Sequence, residues 1–214
     1  MRRRVASIVT ILAACTVTRT TFAAEDDGAA RPSGVRVGVQ SGFATPIGKT
    51  YTGSGALGET IRGLIPFRAD LGARIASHFY VGGLFEYGVV MPNACPEEMQ
   101  CSGSRIRVGA TAALHILPTR VVDPWLGVTI AYETLSLSRA SSSRTMTIDA
   151  NGIDLPAPEL GVDLRPTSWL RLGPVLSGAM GRYSSLALNG NDTRDFDSAW
   201  HAWLMVGFRT MADF

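Results

Sequence analysis

Past its first two dozen residues, this 214-residue chain has no apolar run near the roughly 18 that a membrane-crossing helix needs, which excludes helical membrane proteins. It also lacks a Walker loop, a GxGxxG opening a helix, an HExxH pair and an EF-hand loop. Each of those motifs places backbone donors or ligands at fixed spacing, so the corresponding nucleotide and metal chemistries lose their usual signature. Gly53-Ser54-Gly55 is a loop segment rather than a nucleotide cradle, and no cofactor is expected. There are only three histidines and three cysteines. No run of five like charges marks an interaction tail. The formal charge of +2 misleads: four of the 20 basic residues (Arg2, Arg3, Arg4 and Arg19) lie in the first 23, where there is no acid. That leaves 16 basic residues against 18 acidic ones, and no basic field for a nucleic-acid partner.

The first 23 residues read as an export signal. Met1-Arg2-Arg3-Arg4 is a positive start, and Val5 to Ala14 is an apolar core too short to span a bilayer. Thr21 and Ala23 then occupy the positions a signal peptidase reads. A second reading stays open: Leu12-Ala13-Ala14-Cys15 resembles a lipobox, which would make Cys15 a lipidated first residue. Residues 24–34 are small, charged and turn-forming, a flexible lead-in. Beyond Cys15 only Cys95 and Cys101 remain. In an exported chain they read as a loop disulfide, because the zinc alternative has no further ligands nearby.

What fills the chain from residue 35 to 214 is a repeat, apolar–Gly–apolar, around Gly38, Gly72, Gly82, Gly109, Gly127, Gly161, Gly173 and Gly207. The spacing between these glycines alternates between long and short, as in eight antiparallel strands joined by long connections at one end and tight turns at the other. A period of two runs through each segment. Ile106, Val108, Ala110, Ala112, Leu114 and Ile116 face away from Arg105, Arg107, Gly109, Thr111 and His115, and the other seven segments follow suit. Pro66 and Pro174 interrupt the scheme, since proline removes a ladder donor. The long connections fall at about Ala44 to Leu64, Met91 to Ser104, Leu135 to Leu155 and Gly181 to Ala199. Asn151-Gly152 and Asn189-Gly190 read as loop within them.

Alternation alone leaves open which face is inside. A calyx for an apolar ligand, soluble or lipid-anchored in the periplasm, would turn the apolar face inward. Three features favour the reverse. Every glycine of the repeat lies on the charged face, where the interior of a small barrel is crowded. The apolar faces carry no charge. Aromatics (Phe43, Phe67, Phe79, Tyr87, Tyr132, Trp169 and Trp200) gather near strand ends, as an interfacial girdle requires. The expected fold is therefore an all-β, eight-stranded, antiparallel up-and-down transmembrane β-barrel.

This pattern resembles the small eight-stranded outer-membrane proteins of the OmpA/OmpX type from Gram-negative bacteria. The resemblance implies an outer-membrane location, a lipid and lipopolysaccharide surround, and a terminal aromatic read by the barrel assembly machinery. Phe214 and Phe208 fit that signal, while Thr210 and Ala212 match it less well. It also implies a monomer whose outer loops meet any extracellular ligand.

The lumen face is expected to carry Arg36, Arg68, Asp70, Arg74, Glu86, Arg105, Arg107, Glu133, Glu159, Asp163, Arg165, Arg171 and Arg209. Charges of both signs in so narrow a space must pair or stay wet. A structural ion-pair plug is the leading reading. A narrow, slightly anion-preferring pore is the alternative, drawn from the excess of arginine. A lipid-modifying site at His201, beside Ser198 and Asp197 on the outer rim, would need triad geometry that sequence proximity does not supply. Asp192, Asp195 and Asp197 read as a solvated loop rather than a calcium site. The function expected is non-enzymatic, structural or interactive through loops.

Overall fold

The computed structural model describes residues 33–49, 55–93, 95–96, 98–142, 144–192 and 199–214. The export signal, Cys15, most of the lead-in, Asp195, Asp197 and Ser198 lie outside the described residues. Eight long strands account for nearly all the rest: β1 Ser33–Gly48, β2 Ile61–Ile75, β3 Phe79–Pro92, β4 Gln100–His115, β5 Val122–Ala140, β6 Thr145–Leu164, β7 Leu170–Leu188 and β8 Trp200–Asp213. Each pairs antiparallel with its neighbours in sequence, and β8 also pairs with β1, which closes the sheet. Asn191–Asp192 folds back on the end of β7 as a two-residue strand. Closure satisfies the backbone without an edge, the condition for crossing hydrocarbon with strands.

The apolar faces point outward. Val37, Val39, Phe67, Leu71, Val81, Phe85, Val108, Leu126, Ile130, Leu160, Val206 and Phe208 are all exposed on the exterior, while the charged faces are buried. The aromatics Phe43, Phe67, Phe79, Tyr87, Tyr132, Trp169 and Trp200 also point outward, each 43–55% exposed. On β5 the outward apolar stretch runs from Val122 to Tyr132, roughly the 9–11 residues of a tilted transmembrane strand. A calyx with an apolar inner wall is excluded by this arrangement over the belt.

Above the belt the pattern inverts. Beyond Tyr132, β5 continues with Leu135 buried inside and Ser136 facing out. β4, β6 and β7 do the same, with Ala150 and Leu186 buried. Ser104 pairs with Ser136, Ser102 with Ser138, and Ser136 in turn with Asp149. These residues face water on the outside, so the strands there follow the ordinary soluble rule. This is why the expected third connection, Leu135 to Leu155, is instead strand except for the turn between Ala140 and Thr145. The fourth shortens likewise as β7 runs on to Leu188. Asn151-Gly152 lies within β6, paired to Ser185 and Tyr183.

A short helix, α1 Leu57–Thr60, sits in the first long connection and buries Leu57. With Ile61, Leu64, Val90, Leu135 and Leu186 it forms an apolar plug across the loop end of the barrel. Pro66 and Pro174 lie inside strands. Opposite Pro66 the β1–β2 ladder skips from Ser41–Phe67 to Ala44–Leu64. Opposite Pro174 the β6–β7 ladder skips from Gly161–Val175 to Leu164–Leu172. The register survives each gap, because proline costs one donor and leaves the opposite partner strand paired.

Candidate functional site

Among the described residues, chemistry-bearing side chains converge in the lumen. Twelve of the thirteen residues expected on the charged face are buried within it. Arg165 is the exception: it follows the end of β6, is only partly buried, and donates to the Pro118 carbonyl at 3.5 Å. Its side chain seals the turn end rather than lining the channel.

Three groups of ion pairs follow one another along the axis. At the turn end, Asp213 accepts Arg36 Nε at 2.6 Å, Arg74 at 2.9 Å and Arg171 Nε at 3.0 Å. Arg36 also meets His115 Nε2 at 2.7 Å, and His115 Nδ1 lies 2.7 Å from Asp123. Because a guanidinium only donates, Nε2 must accept, which leaves the proton of a neutral ring on Nδ1 facing Asp123. Arg171 donates to Asp123 at 2.7 Å and to the Pro118 carbonyl at 3.0 Å.

In the middle, Arg209 grips Asp163 through two hydrogen bonds of 2.9 and 2.6 Å and lies 3.3 Å over the Trp125 ring. Arg68 joins Asp70 and Glu159, and the Thr129 hydroxyl donates to Glu159 at 3.0 Å. Toward the loop end, Glu86 accepts both Arg105 and Arg107. Arg107 Nε donates to Asp154 at 2.7 Å, and the Tyr183 hydroxyl donates to Glu133 at 2.6 Å.

The repeat glycines make room for this filling. Added Cβ atoms at Gly72 and Gly82 would run into the Tyr80 ring, and those at Gly127 and Gly161 into Trp125. At Gly38 the obstacle is the Met211 thioether. These five glycines are thus beds for large inward side chains, while at Gly109, Gly173 and Gly207 the neighbouring strand itself comes close.

Sequence reading missed Asp123, Asp154 and Asp213. Asp123 lies in Pro118 to Pro124, whose prolines read as a short turn, although its parity with Trp125 and Glu133 points inward. Asp213 shares the parity of Arg209. Asp154 fell inside the expected third connection, Leu135 to Leu155, and the register shift between Leu155 and Glu159 also breaks the count along β6. With these three the buried lumen holds eight acids against seven arginines, so the arginine excess behind an anion-preferring pore disappears.

His201 is corrected too. It points into the lumen, 2% exposed, stacked on Tyr183 with centroids 4.0 Å apart and facing Glu133 and Asp154. It is not a rim residue. His78 is exposed in the β2–β3 turn, and His115 belongs to the turn-end network. Cys95, in the connection between β3 and β4, is joined to Cys101 at the start of β4, with Cα atoms 5.8 Å apart. Phe208 and Phe214 both face outward, and the Phe214 amide donates to Val35 at 2.8 Å.

No known family's sequence profile and no curated protein matches the chain. Solved structures do. The attachment invasion locus protein Ail of Yersinia pestis, in complex with the heparin analogue sucrose octasulfate, is 12% identical with a TM-score of 0.50, covering 83% of this chain and 99% of its own. Neisserial surface protein A is 15% identical with a TM-score of 0.48, over 86% and 98%. OprG of Pseudomonas aeruginosa is 15% identical with a TM-score of 0.48, over 83% and 95%. What is shared at such identities is the architecture. With its closed eight-stranded sheet, girdled apolar exterior and charged interior, the chain has the fold of the small outer-membrane β-barrels.

Proposed function

We propose that this is a non-enzymatic outer-membrane protein whose lumen is a static plug and whose working surface is the loop end. In this reading residues 1–23 direct export and the turn end faces the periplasm. Phe208 and Phe214 present the last strand to the barrel assembly machinery, and the barrel acts as a monomer in lipid and lipopolysaccharide. The observation that carries the reading is the burial of opposite charges along the lumen, from Asp213 at one end to Glu133 at the other, under an apolar plug. A solute path would have to break several buried pairs at once, each costing several kcal/mol, about 3–5, when one partner is lost.

Interaction then belongs to what stands clear of the membrane. The hydroxyl-lined extension of β3 to β6 offers a groove of about 230 Å³ bordered by Tyr87, Ser102, Ser104, Ser136, Ser138 and Thr147. Conductance across planar lipid bilayers tests the plug. The purified barrel is expected to be silent at all voltages, and discrete conductance steps would restore the narrow pore.

A further inference from the structure

Two buried clusters bring a histidine and two carboxylates together, and they differ in how their atoms are used. Around His115, Asp123 and Asp163 both ring nitrogens and the carboxylates are taken up by Arg36, Arg171, Arg209 and the Leu117 amide. Around Glu133, Asp154 and His201 they are taken up only in part: Tyr183 holds Glu133 Oε1, Arg107 holds Asp154 Oδ2, and Arg105 stands 3.7 Å from Glu133 Oε2. His201 Nδ1 and Nε2, Glu133 Oε2 and Asp154 Oδ1 are all buried without a hydrogen-bond partner. Orphaned buried polar atoms are costly, so their gathering in one small cluster calls for an occupant.

We propose that Glu133, Asp154 and His201 form a divalent transition-metal site, with zinc as the fitting ion, inside the loop-end half of the lumen. Each residue offers one ligand atom, and these atoms lie within 4.8 Å of one another. His201 Nε2 is 3.5 Å from Glu133 Oε1 and 3.8 Å from Asp154 Oδ1. The edge of a tetrahedron around zinc is about 3.3–3.6 Å at ordinary zinc–nitrogen and zinc–oxygen lengths. One imidazole with two carboxylates suits zinc better than calcium or magnesium, which take oxygen alone.

The surroundings fit a ligand set. Tyr183 donates to Glu133 and stacks on the His201 ring, while Arg107 holds the second oxygen of Asp154. Such outer contacts orient metal ligands. Gly181 keeps the space open, since a Cβ there would meet Asp154 Oδ1 and His201 Cε1. Charge agrees in sign: Glu86, Glu133 and Asp154 outnumber Arg105 and Arg107 by one. A proton on His201 would neutralise the same surplus, and the experiment separates the two. Because the apolar plug covers the site, the ion enters while the barrel folds.

The full chain is folded into detergent micelles with Zn²⁺, or with Co²⁺, and freed of loose metal. The expected result is about one zinc per folded barrel and a tetrahedral Co²⁺ absorption spectrum. His201→Gln and Gly181→Ala each lower the bound zinc by more than about tenfold, while His78→Ala keeps it. Folding of each variant is checked by its heat-modifiable migration. Should a variant fail to fold, the unaltered chain decides through its zinc content and Co²⁺ spectrum. Folded barrel without stoichiometric zinc, zinc unchanged in folded His201→Gln, or nitrogen NMR showing both His201 ring nitrogens protonated after zinc treatment overturns the site. None of these results bears on the conductance test of the plug.

Discussion

Asp213 holds three guanidinium groups at once, those of Arg36, Arg74 and Arg171. Asp213→Asn keeps the shape and removes the charge, leaving three buried cations facing each other at the turn end. It is expected to cost about 3–5 kcal/mol, read as a lower urea midpoint for loss of the heat-resistant form. Arg165→Ala, at the partly buried rim, should shift that midpoint by about 0.5 kcal/mol or less. Equal effects would place the two residues in the same environment and contradict the geometry. Among the described residues all seven buried Lys or Arg side chains are arginine, and the whole sequence has one lysine, Lys49. A planar fork can satisfy two acceptors at once, as Arg68 does between Asp70 and Glu159 and Arg107 between Glu86 and Asp154, where a point-charge ammonium could not bridge as well. These charges were legible from alternation wherever the strand parity was unbroken. Asp154 was not, because it lies where a loop was expected and beyond a bulge that the neighbouring strand decides.

Strand β5 crosses two solvents. Up to Tyr132 its outward side chains meet hydrocarbon, and from Thr134 onward they meet water. Ile130→Arg is therefore expected to destabilise the folded barrel by about 2–4 kcal/mol, and Ser136→Arg by about 0–1 kcal/mol. Both are measured by reversible unfolding in lipid vesicles. Similar costs would move the membrane boundary beyond Ser136. The lower half of this strand could be read directly, since its outward residues Leu126, Val128, Ile130 and Tyr132 are apolar. Its upper half could not. Serine and threonine on the outside with leucine on the inside looks like loop to a reader expecting one pattern throughout.

As a whole the barrel has two unlike ends. One carries short turns and the Arg165–Pro118 contact, and the other α1 and the apolar plug. A peptide tag inserted in the turn between Ala140 and Thr145 should be tolerated, because that turn is exposed and far from the lumen charges. Antibody is expected to bind it on intact cells. Binding only after the outer membrane is permeabilised would reverse the proposed orientation. The same tag on a barrel that fails to resist unfolding in SDS without heat would mean that the upper strands pair cooperatively with the belt.

The order of residues alone determined the strand number, the side of each strand that faces outward and most of the charged residues that line the lumen. Those follow from a period of two and from the repulsion between charge and hydrocarbon. Only the folded structure decided how far the strands run, where the pattern turns inside out, and that Glu133, Asp154 and His201 share one buried point. Those contacts join β5, β6 and β8, and their distances depend on shear, bulges and closure, which no single strand encodes.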